Sequence, residues 1–407
     1  MSRESLTALT RFAVRLGHMG AIPSTDLDMF TDAALRDPYP LYRELRDLGA
    51  VVQLSAYGMY AFPRYRQVRE ASGNWQVFSS AKGVMMNDEI NSMLEGITLC
   101  SDPPEHTQMR SVLSRPLRPD QLRELTPRVE AEASRIVEQL VNRGTFDAAT
   151  ELAEHLPLTI VSDLVGLGNS GRDRMLDWAA ATFDAQGPMN QRTKDSFALL
   201  EEMVGFASTE AVPGKLDPDG WAAQLYEAAA RGDIPVSKCP MMMIDYIAPS
   251  LDTTMYAISS AIQLFAHNPE QWTVLREDYS LIPHAINEAL RLESPVQRFT
   301  RLTTQEYEVE GQVLPAGSRV VLLYASANRD ERKYPDPDRF DVRRKPSDHL
   351  AFGRGEHVCV GMNLARIEMR ALFEALLPRV ARFEVLESDL ALNNTLRGLG
   401  TLRVRVH

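Results

Sequence analysis

The chain has 407 residues and a formal net charge of −11, and 44% of its residues are hydrophobic and 24% charged. These fractions are ordinary for a soluble globular protein, and the acidic balance argues against general binding to nucleic acid. The chain has three cysteines, at positions 100, 239 and 359. This number is small and odd, so a disulfide framework is not expected, which indicates a reducing cytoplasm.

The N-terminal stretch 1–21 mixes arginines and a glutamate with its apolar residues. It therefore predicts neither a secretory signal nor a membrane span. Length alone allows two or three domains of roughly 150 residues each. No linker, repeat or low-complexity tract interrupts the apolar periodicity, however, so we predict a single domain over 1–407.

Alternating apolar residues predict short strands near both ends of the chain. Residues 51–54 and 58–62 predict a hairpin, and 307–323, with a turn at 315–317, predicts further sheet. Between them, 127–143 carries an apolar stripe that stops at Gly144, a residue typical of a helix C-terminus. A similar stripe follows Cys359 and ends before Pro378. We therefore predict a mainly α protein with small β-sheets.

A long apolar segment, 235–267, predicts a helix too apolar to lie on the surface. Pro249 lies inside it and has no N–H to donate to the carbonyl of Asp245, so we expect a kink that opens a groove. An acid and an alcohol, Asp252 and Thr253, follow the kink. Taken alone this dipeptide is common, and a solvent-facing carboxylate beside a helical threonine is the plainer interpretation.

The stretch 352–361 places Cys359 where a glycine-rich loop runs into a helix. Unpaired N–H groups at that helix start favour a thiolate, so we expect Cys359 to ionise readily and to bind a metal through sulfur. Gly353, Gly355 and Gly361 let the backbone approach a large flat cofactor. The alternative is a buried structural cysteine beside a glycine turn.

This loop resembles the haem-binding loop of the cytochrome P-450 family, in which a phenylalanine, two glycines, a basic residue and the cysteine recur at this spacing. The resemblance implies haem b, with Cys359 as the ligand of its iron and with Phe352, Gly353 and Gly361 in the cofactor cradle. It also implies the family's triangular fold, in which the haem lies between a long distal helix and the cysteine loop.

Matching positions elsewhere in the chain extend the resemblance to the haem propionates. The implied propionate contacts come from separate segments: His106, Arg110, Arg301 and His357. A buried propionate needs cationic or hydrogen-bonding partners, which these side chains supply. The resemblance also implies a structural triad beneath the haem, formed by Glu288, Arg291 and Arg339.

In the same family Asp252 and Thr253 match the acid–alcohol pair that delivers protons to dioxygen. The alanine and glycine common ahead of that pair are Pro249 and Ser250 here. A serine inside a helix normally bonds back to a carbonyl one turn before it. Ser250 therefore either holds a water in the oxygen groove or narrows it.

Short motifs at 293–297, 326–330 and 393–399 resemble those of bacterial members that demethylate aromatic methyl ethers. The positions that line the substrate pocket in the family are occupied here by Lys82, Phe183, Ile247, Ala248, Phe299 and Leu399. In the para-methoxybenzoate branch, an arginine and an arginine–serine pair bind the substrate carboxylate. Lys82 stands for the first of these, but Ile244 and Asp245 replace the pair. Because an aspartate repels a carboxylate, a neutral phenol or aryl ether is at least as good a candidate as a benzoate.

No flavin or iron–sulfur segment is evident, so the resemblance implies electrons from a separate ferredoxin and its reductase, or from a flavodoxin-type donor. Basic residues gather near the cysteine loop and its neighbours. They form either a docking patch for an acidic redox protein or ordinary solvated helix faces. They are Arg110, Arg115, Arg118, Arg343, Arg344, Lys345, Arg354, Arg366 and Arg370.

The predicted function is that of a cytoplasmic haem-thiolate monooxygenase, with no membrane or nucleic-acid partner. It inserts one atom of O2 into a C–H bond of a small apolar, aromatic substrate, by hydroxylation or O-demethylation. Within the family, a terpenoid, fatty-acid or secondary-metabolite hydroxylase competes with this interpretation. Outside it, a peroxide-driven peroxygenase and a haem-binding sensor without turnover are compatible with the same cysteine loop.

Overall fold

The computed structural model describes residues 20–167 and 171–407. The N-terminal stretch discussed above lies outside the described residues up to position 19. The helices are α1 (Asp32–Arg36), α2 (Tyr39–Leu48), α3 (Tyr65–Ser72), α4 (Asp88–Met93), α5 (Glu105–Leu113), α6 (Pro119–Arg143), α7 (Ser162–Val165), α8 (Met175–Asp184), α9 (Gln191–Thr209), α10 (Trp221–Ala230), α11 (Cys239–Ile247), α12 (Asp252–His267), α13 (Pro269–Glu277), α14 (Ile282–Leu292), α15 (Tyr324–Asn328) and α16 (Met362–Leu376).

The strands are short, except for the last two. They are β1 (Ser24–Thr25), β2 (Val52–Leu54), β3 (Met59–Phe62), β4 (Phe78–Ser79), β5 (Thr145–Asp147), β6 (Arg298–Thr303), β7 (Tyr307–Val309), β8 (Gln312–Leu314), β9 (Arg319–Leu323), β10 (Phe383–Leu392) and β11 (Arg397–Val406). The fold is therefore mainly α with small sheets, as the sequence predicted. None of the helices in the described part of the chain has the length and apolar character needed to cross a membrane.

A mixed six-stranded sheet joins the first strands of the chain to those after α14, in the order β1-β2-β3-β9-β6-β4. The predicted hairpin at 51–62 is confirmed, because β2 and β3 pair antiparallel. The predicted sheet at 307–323 divides between two sheets. Strands β7 and β8 form a hairpin of their own, whereas β9 pairs in parallel with β3.

Two long helices, α6 and α16, pack against each other in the main core. Helix α6 ends where predicted, because Gly144 adopts the left-handed conformation (φ 74°) that stops a helix. Its start was predicted wrongly at 127. It begins at Pro119, which fits a first turn because its missing N–H would have no helical partner there, and Pro127 lies inside the helix.

The single kinked helix predicted over 235–267 is wrong, because the segment forms two helices, α11 and α12, separated by 248–251. Pro249 has no N–H, and side-chain hydroxyls bond carbonyls around the break. Ser250 Oγ donates to the carbonyl of Tyr246 at 2.5 Å, and Thr253 Oγ1 donates to the carbonyl of Pro249 at 2.8 Å. The helix is thus broken rather than bent, and its open backbone faces the cavity described below.

Candidate functional site

An interior cavity lies between the helix break and the cysteine loop. Its walls come from the segment 94–117, from α8, α11 and α12, from the start of β6, and from the loop 351–361 with the first turns of α16. Cys359 and Thr253 both line it, from elements that are far apart in sequence. The cavity therefore brings the cysteine loop and the alcohol of the acid–alcohol pair to one site.

Cys359 lies between a short turn at Gly355–His357 and the start of α16. Its N–H donates to the carbonyl of Phe352 at 2.9 Å, which closes the loop on itself. Amide groups of Gly361 and Met362 lower the pKa of the thiol, but its withdrawal from bulk water into the cavity is the stronger influence and leaves the pKa raised. The expectation that Cys359 ionises more readily than in solution is therefore wrong for the protein alone. A bound metal ion would supply the missing stabilisation, since a coordinating thiol loses its proton.

Two loop glycines adopt backbone conformations that other residues rarely take. Gly353 and Gly355 have φ values of 67° and 74°, and a Cβ at Gly355 would lie 2.6 Å from the carbonyl oxygen of Ser72. A side chain at either position would distort the loop that presents Cys359. The guanidinium of Arg366 lies over the ring of Phe352, 5.0 Å from its centroid, in a cation–π contact next to Gly353.

Cationic and imidazole side chains converge in the cavity, and none of them has a carboxylate partner within the described residues. The rings of His106 and His357 lie 4.3 Å apart, and neither His106 nitrogen nor His357 Nε2 has a hydrogen-bond partner among the described residues. Arg301 donates to the carbonyl of Thr300 at 2.7 Å, and Arg110 donates to the carbonyl of Val358. Burial, with the charge of Arg301, lowers the pKa of His357 to about 2. Buried donors of this kind call for anionic oxygen atoms.

The acid and the alcohol face different surroundings. Thr253 lines the cavity, whereas Asp252 does not. Asp252 is 3% exposed, and the Oδ2 of its carboxyl has no partner among the described residues. Burial, then the charges of Glu154 and Asp184, raise the pKa of Asp252 to about 7. The pair therefore places a hydroxyl in the cavity and an acid that titrates near neutrality behind it.

The structure places Phe183, Ala248 and Phe299 on the cavity wall, as predicted for the substrate pocket. The other three predicted pocket residues do not line it. Lys82 is exposed at the surface, where its carbonyl accepts a hydrogen bond from Arg319. Ile247 and Leu399 are buried in the main core instead.

Glu288 and Arg291 form a fully buried, two-pronged ion pair, with nitrogen–oxygen distances of 2.7 and 2.9 Å. The third arginine of the triad was predicted wrongly. It is Arg344, whose Nε donates to Glu288 Oε1 at 3.0 Å, whereas Arg339 offers only its backbone carbonyl, to Arg291. Both arginines lie in one irregular segment, so spacing alone did not show which side chain turns inward.

Two acids in the cavity wall were missed or left without a role. Glu368, on α16, is 1% exposed and its Oε1 has no partner among the described residues. Burial raises the pKa of Glu368 to about 8, so it is protonated at neutral pH. The sequence signal was a glutamate within the apolar stripe after Cys359. Asp245 is the second acid, and Oδ2 of its carboxyl accepts a hydrogen bond from the N–H of Thr98 at 3.3 Å.

Several of the basic residues assigned to a docking patch are engaged elsewhere. Arg344 is bound to Glu288, and Arg115 pairs with Asp233 at 2.8 Å. Arg366 and Arg370 do line a surface groove with Arg123, where the N-terminal part of α6 meets α14 and α16. We call this the α6–α16 groove.

A family model described as cytochrome P-450 matches residues 239–398. Cytochrome P-450 CYP199A2 of Rhodopseudomonas palustris is 34% identical over 394 residues, which cover 96% of each protein. The chain belongs to the cytochrome P-450 family. Linalool 8-monooxygenase of Pseudomonas putida is 31% identical over an alignment that covers 93% of this chain and 97% of that enzyme. The protein is therefore a cytochrome P-450 monooxygenase, an oxidoreductase that incorporates one atom of oxygen from O2 and uses haem b.

Solved structures show the same fold. An intact type IV self-sufficient cytochrome P-450 monooxygenase superposes with a TM-score of 0.82 at 27% identity, covering 95% of this chain and 55% of that one. A cytochrome P-450 of Chondromyces apiculatus gives a TM-score of 0.76 at 28% identity, covering 93% of this chain and 98% of that one.

The residues present fit haem b. The unpartnered imidazoles and the arginines without carboxylate partners among the described residues could hold two propionates, and Cys359 lines the same cavity. In the described ranges 20–167 and 171–407, no group of three or more His, Cys, Asp or Glu side chains could hold a metal ion by itself. One cysteine therefore suits an iron whose remaining ligands belong largely to a porphyrin.

Proposed function

We propose that this cytochrome P-450 monooxygenase oxidises small aromatic substrates, and that removal of a methyl group from an aryl methyl ether is its characteristic reaction. The observation that carries the proposal is the presence of aromatic rings in the wall of the cavity that Thr253 lines. Phe183 and Phe299 supply them, together with small residues such as Ala248 and with aliphatic ones. Aromatic faces and small aliphatic side chains suit a flat ring better than a flexible chain.

The proposed roles of the site residues follow from their positions. Cys359 holds the haem iron, and His106, Arg110, Arg301 and His357 neutralise the propionates. The haem supplies the activation of dioxygen. Thr253 holds a proton donor in the cavity, while Asp252 carries protons from the interior behind it.

The proposed reaction needs no further catalytic residue. One oxygen atom enters a methyl C–H bond, and the other leaves as water with two protons and two electrons. The resulting hemiacetal then loses formaldehyde and leaves a hydroxyl on the ring. We propose that the two electrons come from a separate ferredoxin, reduced by its reductase, that docks at the α6–α16 groove.

The test is reconstitution of the haem-loaded protein with a ferredoxin, a ferredoxin reductase and NADH. Methoxyphenols, methoxybenzoates, linalool and a fatty acid are compared by the shift of the Soret band and by product. We expect a high-spin shift and formaldehyde release with methoxy-substituted aromatics. A shift confined to linalool or the fatty acid, with hydroxylated product, would overturn the aromatic assignment.

A further inference from the structure

Asp245 is a carboxylate in an otherwise apolar part of the cavity. It lies on α11 one helical turn before Pro249, next to the cavity-lining Ile244. The wall around it is formed by aliphatic residues such as Leu94 and Ile97, from the segment that faces α11. Burying a charged group in such surroundings is costly unless it has a partner. The position therefore calls for a ligand or a structural reason.

The protein itself satisfies only part of this carboxylate. Oδ2 accepts the hydrogen bond from the N–H of Thr98, whereas no described residue donates to Oδ1. The residue is only partly covered by protein atoms, so the open oxygen faces the cavity. The hydroxyl of Thr98 is buried beside the same carboxyl, where it lowers the pKa of Asp245. Thr98 therefore holds the carboxyl from one side and leaves Oδ1 as the acceptor that a ligand can reach.

The charge state is set by two opposing influences. Burial raises the pKa of Asp245 to about 6, while the hydroxyl and the N–H of Thr98, and then the charge of Arg110, lower it. Arg110 itself is engaged with the carbonyl of Val358. At pH 7.5 most of the population is therefore ionised, since that pH lies above the pKa.

We propose that Asp245 and Thr98 form the anchor for a phenolic hydroxyl of the substrate, so that this enzyme selects phenols over benzoates and over aryl ethers that lack a hydroxyl. This inference rests on the proposed function and names its substrate class. The phenol O–H donates to Asp245 Oδ1, while Thr98, through its N–H and its hydroxyl, positions the carboxyl. A hydrogen bond to an ionised acceptor is stronger than a neutral one. A benzoate would meet a like charge at the same point.

The rival explanation is that Asp245 is a purely structural clamp that holds the segment around Thr98 to α11. Asp245→Asn separates the two, because an amide oxygen still accepts from the Thr98 N–H while the charge is lost. The amide NH2 also offers a donor in place of an acceptor, which favours ethers and carboxylates. Thr98→Val is the second variant, since it removes the hydroxyl but keeps the backbone donor and the side-chain volume.

The experiment measures dissociation constants by Soret shift for haem-loaded wild type and both variants at pH 7.5. The ligands share one methoxy group and differ in their second substituent: methoxyphenol, dimethoxybenzene, methoxybenzoate and methoxybenzylamine, each as 2- and 4-isomers. We expect wild type to bind a methoxyphenol at least about tenfold more tightly than the matching dimethoxybenzene. The ratio should fall to near one in Asp245→Asn and by about threefold in Thr98→Val.

An unchanged ratio in Asp245→Asn would overturn the anchor, as would a wild type that prefers the ether, the benzoate or the cationic benzylamine. If one variant fails to bind haem, the wild-type ligand series and the other variant still show whether a phenol is preferred. The absorption maximum of the reduced carbon monoxide complex is recorded for every preparation. Its absence from wild type refutes the proposed function itself, whereas its presence without a phenol preference refutes only the anchor.

Discussion

Thr253 and Asp252 are neighbours in sequence, but their side chains belong to two different environments. The hydroxyl lies in the cavity and donates to the carbonyl of Pro249, which has no helical N–H partner at the break. The carboxyl lies behind it, buried with the charges of Glu154 and Asp184 acting on it. A proton that reaches the cavity through Asp252 therefore passes from the buried carboxyl to the hydroxyl of Thr253 in the cavity.

Removing the hydroxyl should separate electron consumption from product formation. In Thr253→Ala, we expect product to fall by about tenfold to a hundredfold, because a positioned proton donor is lost and only mobile water replaces it. NADH consumption should continue, with hydrogen peroxide as the main product. Thr253→Ser is the matched control and should recover most of the coupling. Equal product formation by Thr253→Ala and wild type with O2 and NADH would contradict a role in proton delivery.

The acid should give the reaction a pH dependence that can be moved by a second mutation. Because the pKa of Asp252 is raised to about 7, the carboxyl keeps its proton below that pH and loses it above. We therefore expect the rate of product formation to fall as pH rises through about 7. In Asp252→Asn the rate should be low and this inflection should disappear.

Glu154 offers the matched test, because its charge is one cause of the raised pKa of Asp252, and because burial raises the pKa of Glu154 itself to about 7. Glu154→Gln removes that charge, so the inflection should move to lower pH. The same inflection in wild type, Asp252→Asn and Glu154→Gln would show that another group controls the rate.

At the scale of elements, the buried Glu288 carboxylate joins α14 to the irregular segment ahead of the cysteine loop. Its two oxygens are shared between Arg291, on the same helix, and Arg344, beyond α15. Arg291 also donates to the carbonyls of Asn328 and Pro337, at 2.8 and 2.7 Å. The cluster therefore fixes the segment that leads to Cys359 without any contact with the cavity.

The assignment of Arg344 can be tested by comparing two substitutions within one segment. Arg344→Gln removes a hydrogen bond to a buried carboxylate and should destabilise the protein by about 1.5–3 kcal/mol. Arg339→Gln leaves the backbone carbonyl in place and should change stability by less than about 0.5 kcal/mol. Thermal unfolding of the haem-loaded proteins measures both. A larger loss from Arg339→Gln would restore the triad that the sequence suggested.

The same elements show which features of the fold and the site could be predicted from the sequence. Gly144 and the stripe after Cys359 carry local signals, a left-handed cap and a helical period, and both predictions hold. Pro249 predicted that the helix would be disturbed. Whether it bends or breaks depends on which side-chain hydroxyls donate to the backbone carbonyls there, and the sequence does not give the rotamers of those side chains. Lys82 and Arg344 lie in irregular segments. Such segments have no helical or strand period from which the direction of a side chain could be predicted.

At the scale of the whole molecule, the cavity is a meeting point of segments far apart in sequence. The large sheet joins β2 and β3 to β9 and β6, and Phe299, the second residue of β6, lies in the cavity wall. The cysteine loop forms another part of the wall, and α16, which follows it, packs against α6. Helix α16 begins three residues after Cys359, and its Asn363 and Arg366 line the α6–α16 groove, so the groove lies close to the cysteine along the chain.

This arrangement predicts which basic residues matter for electron transfer. The double variant Arg123→Gln, Arg370→Gln removes two cations from the α6–α16 groove. At low ionic strength we expect the ferredoxin concentration that gives the half-maximal rate of NADH oxidation to rise by about fivefold to tenfold, because attraction to an acidic partner is lost. The maximal rate at saturating ferredoxin should change little. Arg115→Gln is the control, since Arg115 is paired with Asp233 much as Arg370 is paired with Glu374 but lies in a different surface pocket. Added salt should raise the wild-type value towards that of the double variant. An equal effect of Arg115→Gln, or no effect of the double variant at any salt concentration, would place the docking site on another face.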